Sequence, residues 1–382
     1  GSACDDAGST AAGADTSTEW GGSGADVDSG DATPDTTDTG GSGDTGASGD
    51  TGDGDASDTG TAPDADDPCA FGACSWAIPC EGSGCPTVSE LRAVVPGVGL
   101  PAELQLQAAN NNLDIARFDG RLFLAFRTAP NHFASALATL NIVSTDDEQT
   151  WRYEGSFALG TDLREPRLLS WHGRLWLYFA VLGSDPAAFQ PGEMRVSEYL
   201  GDGTWTESAP FYGPGFIPWR VRVVDDVPYM FTYKGGENIY ETDGEPVEVH
   251  FLTTTDGVTW TAAGAQPDVL LGGGSETDGA RLDDGSWVFV SRNEAGGDYG
   301  FGSLVCTAPA DAIADWSCRN DDRRKYDSPL VFRQGSDVYL VGRRNLTENG
   351  YYDLENYDLP LQQQKLRNEW DYWNPVSYTH LT

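Results

Sequence analysis

Short runs of alternating apolar and polar residues, broken by Gly, Asp and Asn, fill the chain from about residue 111 onward. They predict strands joined by tight turns. LDIARF, a turn at Asp119-Gly120 and RLFLAF make one hairpin pattern; PRLLSW, a His-Gly turn and RLWLYF make the next. Each hairpin is followed by a third run (ATLNIV, EMRVSEY), a polar turn and a short fourth run. No stretch shows an apolar period near 3.6 residues, so the expected elements are strands, four to a unit.

The unit repeats. Trp151, Trp205, Trp260, Trp316 and Trp370 recur at steps of 54, 55, 56 and 54 residues. Phe123, Trp176, Tyr229, Trp287 and Tyr339 mark the second runs at steps of 53, 53, 58 and 52. Two independent markers with one period indicate an internal repeat, and four strands in about 55 residues fit a propeller blade. The expected fold is an all-β β-propeller with four-stranded blades over residues 111–375. Five repeats are visible, and six blades are expected of the full-length protein.

The Trp series closes a recurrent turn. Ser144-Thr145-Asp146-Asp147-Glu148-Gln149-Thr150-Trp151 resembles the Asp box of sialidase-like propellers, S-x-D-x-G-x-T-W, with Glu148 at the glycine. Thr254-Thr255-Asp256-Gly257-Val258-Thr259-Trp260 is a shorter form, and Gly201-Asp202-Gly203-Thr204-Trp205 a degenerate one. In such a turn Asp bonds nearby backbone N–H groups, Gly allows the tight path and Trp packs between blades. The turn argues for the fold and is silent on catalysis.

Composition separates the two ends from the middle. The formal charge is −37. Residues 1–68 hold 17 of the acidic residues and no Lys or Arg, within Gly/Ser/Thr/Asp repeats that cannot bury a core. They are expected to form a disordered linker. A chain this acidic excludes nucleic acid and anionic membrane surfaces as expected partners. Gly1-Ser2-Ala3-Cys4 resembles the end of a bacterial lipoprotein signal, which implies lipidation at Cys4 and an extracytoplasmic, tethered protein at the cell surface or in the periplasm. That lipid would be the chain's only link to a membrane.

The other six cysteines are even in number, as an oxidising compartment predicts. Cys69, Cys74, Cys80 and Cys85 fall in a connector, residues 69–110, at spacings wider than a zinc knuckle. Two disulfides are expected there, with connectivity open. Cys306 and Cys318 flank the third turn of the fourth repeat and are expected to pair. No metal or cofactor is expected, and the protein should be a monomer. Val376 to Thr382 (VSYTHLT) resembles the translation of a sequencing adapter, which would end the gene's own reading at Pro375.

Strand alternation sorts the candidate chemistry. If the Asp-containing turns join third and fourth strands on one rim, first-strand starts and second-strand ends share the other. The first-strand starts bring Asn112 and Asp114; Arg164, Glu165 and Arg167; Trp219 and Arg220; Ser275 and Glu276; Tyr326 and Asp327. The second-strand ends bring Arg127, Tyr233, Arg292 and Arg343, and the loop after Arg127 adds His132. Several arginines at one rim suit an anionic or otherwise polar glycan.

Gly274-Ser275-Glu276-Thr277 through Ser291-Arg292 resembles the sialidase-superfamily segment that supplies a glutamate and a carboxylate-binding arginine. Arg127-Thr128 with His132, Asp162-Leu163-Arg164-Glu165-Pro166-Arg167 and Pro218-Trp219-Arg220-Val221 resemble a bacterial lipoprotein subgroup of that superfamily more closely. The resemblance covers about residues 110–375. It implies a six-bladed glycoside hydrolase with Glu276 as base, Tyr326 as nucleophile and Arg127, Arg292 and Arg343 as the carboxylate clamp. Arg164, Glu165, Trp219, Arg220 and His132 would complete the substrate site. The family's F-R-I-P motif is absent, and Tyr326 lies one blade earlier than the family's nucleophile. An alternative chemistry uses Asp114, Glu165 and Glu276 as a carboxylate set, with carboxyls about 6.5–9.5 Å apart. A third reading keeps the rim but no catalysis: a carbohydrate- or protein-binding propeller on a tether.

Overall fold

The computed structural model describes residues 92–186, 188–235, 247–296, 300–320 and 324–343, together with 358–360, 363–364 and 366–368. Segment 1–68, Cys4, Cys69, Cys74, Cys80, Cys85, Trp370, the tail 376–382 and the Arg343 side chain lie outside the described residues.

The protein is a β-propeller, and each sheet is a meander in sequence order. β1 (Ala109–Phe118), β2 (Arg121–Ala129), β3 (Thr139–Thr145) and β4 (Arg152–Phe157) form the first. β5 (Asp162–Trp171), β6 (Arg174–Leu182), β7 (Pro191–Gly201) and β8 (Thr204–Trp205) form the second, where β9 (Ala209–Pro210) also pairs with β7. The third contains β10 (Phe216–Val224), β11 (Val227–Lys234), β12 (Glu248–Thr254) and β13 (Trp260–Ala262), with β14 (Asp268–Leu271) against β12. β15 (Gly274–Arg281), β16 (Trp287–Asn293), β17 (Leu304–Ala308) and β18 (Ser317–Arg319) make the fourth, and β19 (Asp327–Gln334) with β20 (Asp337–Arg343) is described of the fifth. One departure from the expectation lies near the C-terminus, where Gln363, Gln364 and Leu366 to Asn368 are helical.

Local chemistry explains the turns. Asp119-Gly120, His172-Gly173 and Asp225-Asp226 each place two successive residues at positive φ, as a two-residue hairpin demands. In the third-to-fourth turns, Asp147 Oδ1 accepts from Gln149 N at 2.8 Å and Thr150 N at 2.7 Å. Asp256 Oδ1 repeats this with Val258 N at 2.8 Å and Thr259 N at 2.6 Å. Glu148 (φ 57°) and Gly257 (φ 79°) occupy the same left-handed position.

The four described repeat tryptophans share one role, filling the seam between a sheet and what precedes it. Trp151 packs on Leu124, Phe126 and Val143 and on Val94, Val95 and Leu100 of the leading segment. Trp205 Nε1 donates to the Glu154 carbonyl of the first sheet at 2.7 Å. Trp260 meets Tyr178 of the second edge to face at 5.6 Å. Trp316 stacks on Phe289 at 3.8 Å and faces Phe231 of the third. Truncating one such ring to Ala costs about 3–5 kcal/mol. Cys306 and Cys318 are opposite each other on β17 and β18 and are disulfide-bonded, as expected.

Candidate functional site

Among the described residues, each inner strand is interrupted near its start. Register slips fall between Asn111 and Leu113 in β1, Arg164 and Arg167 in β5, Pro218 and Arg220 in β10, Gly274 and Thr277 in β15, and Asp327 and Leu330 in β19. An extra residue re-aims the side chains beside it. Asn112 (φ 45°), Glu165 (φ 49°) and Ser328 (φ 52°) adopt left-handed backbone there. The bulges lie on the rim opposite the Asp147 and Asp256 turns.

Two buried carboxyl groups lie at this rim, each residue 8% exposed: Glu165 of the second sheet and Glu276 of the fourth. Glu165 Oε1 accepts from Asn112 Nδ2, and Oε2 from Arg167 Nη2 at 2.6 Å. Glu276 Oε1 accepts from Arg292 Nη1 at 3.1 Å, and Oε2 from Ser328 N at 2.6 Å. Burial pushes the Glu165 carboxyl up and the Glu276 carboxylate adds to the rise, while the guanidiniums of Arg167, Arg164 and Arg220 pull it down; the upward direction wins.

A charged network continues inward along the strands. Asp114 Oδ2 accepts from Leu168 N at 2.8 Å, and Asp114 Oδ1 lies 3.9 Å from Arg220 Nη1. Asp278 Oδ2 acts in the same way at the seam between the fourth and fifth sheets, accepting from Val331 N at 2.7 Å and from Arg222 Nη2. Burial raises the Asp278 carboxyl. Arg167 donates to the carbonyls of Leu113, Pro166 and Trp219 and lies 5.1 Å above the Trp219 ring, which is 5% exposed.

One expectation needs correcting. Arg127 is fully buried, and all five of its N–H donors are engaged: Nε and Nη2 with Asp162 Oδ1, Nη1 with Asn111 Oδ1 and the Asn131 carbonyl, Nη2 also with the Phe133 carbonyl. It braces the loop after β2 and presents no donor to a ligand. Tyr326 is half-buried, and its ring packs against Ala280, Val290 and Val331 between the fourth and fifth sheets. Arg292, besides Glu276, meets Glu294 Oε1 at 2.8 Å and Asp327 Oδ2 at 3.5 Å. Arg164 bonds Asp162 Oδ2 at 2.5 Å and the His132 carbonyl at 2.7 Å; the exposed His132 ring meets Asn111 Nδ2 at 3.1 Å. Arg343 is placed opposite Asp327 by its backbone alone.

Asp278, Arg222 and Ser328 escaped the sequence reading. Asp278 was findable, since it stands two residues after Glu276 as Asp114 stands two after Asn112. Among the described residues no group of three His, Cys, Asp or Glu is arranged to hold a metal ion. A cavity of about 480 Å³, lined by Arg117, Phe118, Asp119, Gly120, Ser170 and Gly173, opens at the inner hairpin turns on the other rim, away from the carboxyl pair.

No protein-family model and no curated protein matches the chain. Solved structures similar in layout include a thermostable family-43 glycoside hydrolase, at 9% identity over 64% of this chain and 88% of that one, with a TM-score of 0.42. The endo-arabinase from Bacteroides thetaiotaomicron VPI-5482 is similar at 12% identity over 65% and 93%, with a TM-score of 0.41. Trypanosoma rangeli sialidase in complex with sialic acid is similar at 11% identity over 64% of this chain and 45% of its own, with a TM-score of 0.46. Likeness this distant transfers no residue role.

Proposed function

We propose that the bulge rim is the active site of a glycoside hydrolase that uses a pair of carboxyl groups, Glu165 as acid and Glu276 as base, on acidic or other complex glycans. The observation that carries this is the pair itself: two buried glutamates from different sheets on one rim, with Glu165 pushed towards its neutral form chiefly by burial. Unlike environments for two like groups divide acid from base. Glu165 gives its proton to the glycosidic oxygen as the bond to the anomeric carbon breaks with its electron pair. Water attacks that carbon and yields its proton to Glu276. Asp114 supports the pair through Arg220. The Cys306–Cys318 bond supports an oxidising, extracytoplasmic location, and tethering through Cys4 belongs to the same proposal.

The test is a panel of 4-nitrophenyl glycosides, including a sialoside, a uronide and an arabinofuranoside. Glu165→Gln and Glu276→Gln should each lower kcat/KM by at least about 100-fold with sugar binding retained, the scale expected of general acid–base groups. A second reading has its own support: every carboxylate oxygen of the pair already has a protein partner. Sugar binding by calorimetry, with no turnover on any substrate, would establish the non-catalytic glycan-binding propeller instead.

A further inference from the structure

Asn112 breaks β1 in left-handed backbone and presents its amide to a carboxyl of the next sheet, donating from Nδ2 to Glu165 Oε1. The other end of the same amide, Asn112 Oδ1, is buried and has no hydrogen-bond partner among the described residues. An unmatched buried acceptor costs about 1–3 kcal/mol, so it calls for a physical reason. The two ends of an amide are almost the same size and shape, and a half-turn about χ2 exchanges them. With Nδ2 towards Glu165 the amide suits a carboxylate, which only accepts. With Oδ1 there it suits a protonated carboxyl, which can donate.

We propose that Asn112 is a positioning residue that follows the proton on Glu165, donating through Nδ2 to the ionised form and accepting through Oδ1 from the protonated form. The bearing of this on turnover rests on the reading of Glu165 as the acid. A carboxyl held in both states keeps its orientation while its proton leaves and returns. The charged groups facing Glu165 are Arg164 and Arg167 on its own strand, Arg220 from β10 and Glu276 from β15. The arginines have donors only. Asn112 is thus the neighbour from β1 that can serve either form.

The experiment follows the side-chain amide signals of Asn112 and the carboxyl carbon of Glu165 by NMR in one pH titration of the intact protein. Both should move with a single midpoint. Asn112→Asp and Asn112→Gly both tolerate left-handed backbone and keep the bulge. Asn112→Asp, which can serve only the protonated form, should raise the Glu165 midpoint by more than about one unit. Asn112→Gly removes a bond from both forms, so its two effects oppose and the midpoint should move by less than about half a unit. Amide signals that stay flat through the Glu165 titration overturn the proposal. So does Asn112→Gly raising the midpoint as far as Asn112→Asp, since the amide then only donates. The pH profile of kcat/KM separates the two levels. Coupled titration without turnover in any variant leaves the amide assignment standing and removes the acid–base reading. Turnover beside a flat amide does the reverse.

Discussion

Glu165 holds its carboxyl in a buried setting that pH should report. Because burial and Glu276 raise the folded value of Glu165, its protonated form persists above the ordinary carboxyl range. Activity that needs this proton should fall as pH rises through the raised value, and the fall should move upward in Asn112→Asp; a kcat/KM profile from about pH 4 to 9 checks both. Asp256 has the opposite sign. The N–H groups of Thr259 and Val258 lower its carboxyl from 3.8 to about 2. Its contribution to stability is present above pH 3.8 and is lost as pH falls through about 2. Asp256→Ala should therefore lower the urea midpoint at about pH 6 more than at about pH 2. The turn is exposed and solvent screens it, so the difference will be small.

The third-to-fourth turn is where element-level chemistry is clearest. Gly257 and Glu148 share left-handed backbone, but only the glycine site is sterically closed: a Cβ at Gly257 would lie 2.5 Å from the Trp176 ring. Gly257→Ala should destabilise the fold, by more than the roughly 1–2 kcal/mol of the backbone alone. Glu148→Gly should stabilise it by about 0.5–1 kcal/mol, less what its exposed pairing with Arg117 contributes. Thermal unfolding of the two variants gives both signs. The blades were legible because hairpin dipeptides, period-two runs and Trp spacing are local signals. The bulges were less so, since a register slip is a relation between two strands. Pro166, Pro218 and Pro329 nonetheless stand beside three of them, and a proline inside a strand marks such a place. Arg127 was assigned to the correct rim with an incorrect task, because the sequence shows a guanidinium but not that Asp162 and three backbone or amide oxygens already occupy it.

For the whole molecule, the sheets are joined through charge as well as aromatic packing. Asp278 is fully buried and bonded to Arg222 and Val331 N, from the sheets on either side of its own. Asp278→Asn leaves Arg222 without its charge partner and should cost about 3–5 kcal/mol, the penalty for breaking a buried pair. The measurement is a shift of the whole urea transition; an unchanged midpoint would show that the network adds nothing to stability. Two bonds in this network reach further. Arg220 and Arg222 of the third sheet donate to the carbonyls of Pro329 and Val331 in the fifth, passing over the fourth. In a linear array each unit touches only its neighbours, and stability can be lost one unit at a time. Here the third sheet, made earlier on the ribosome, waits for acceptors more than a hundred residues downstream. A nascent chain released before that point would carry two guanidiniums each short of one acceptor in an otherwise finished blade, so the order of synthesis and the order of becoming stable diverge.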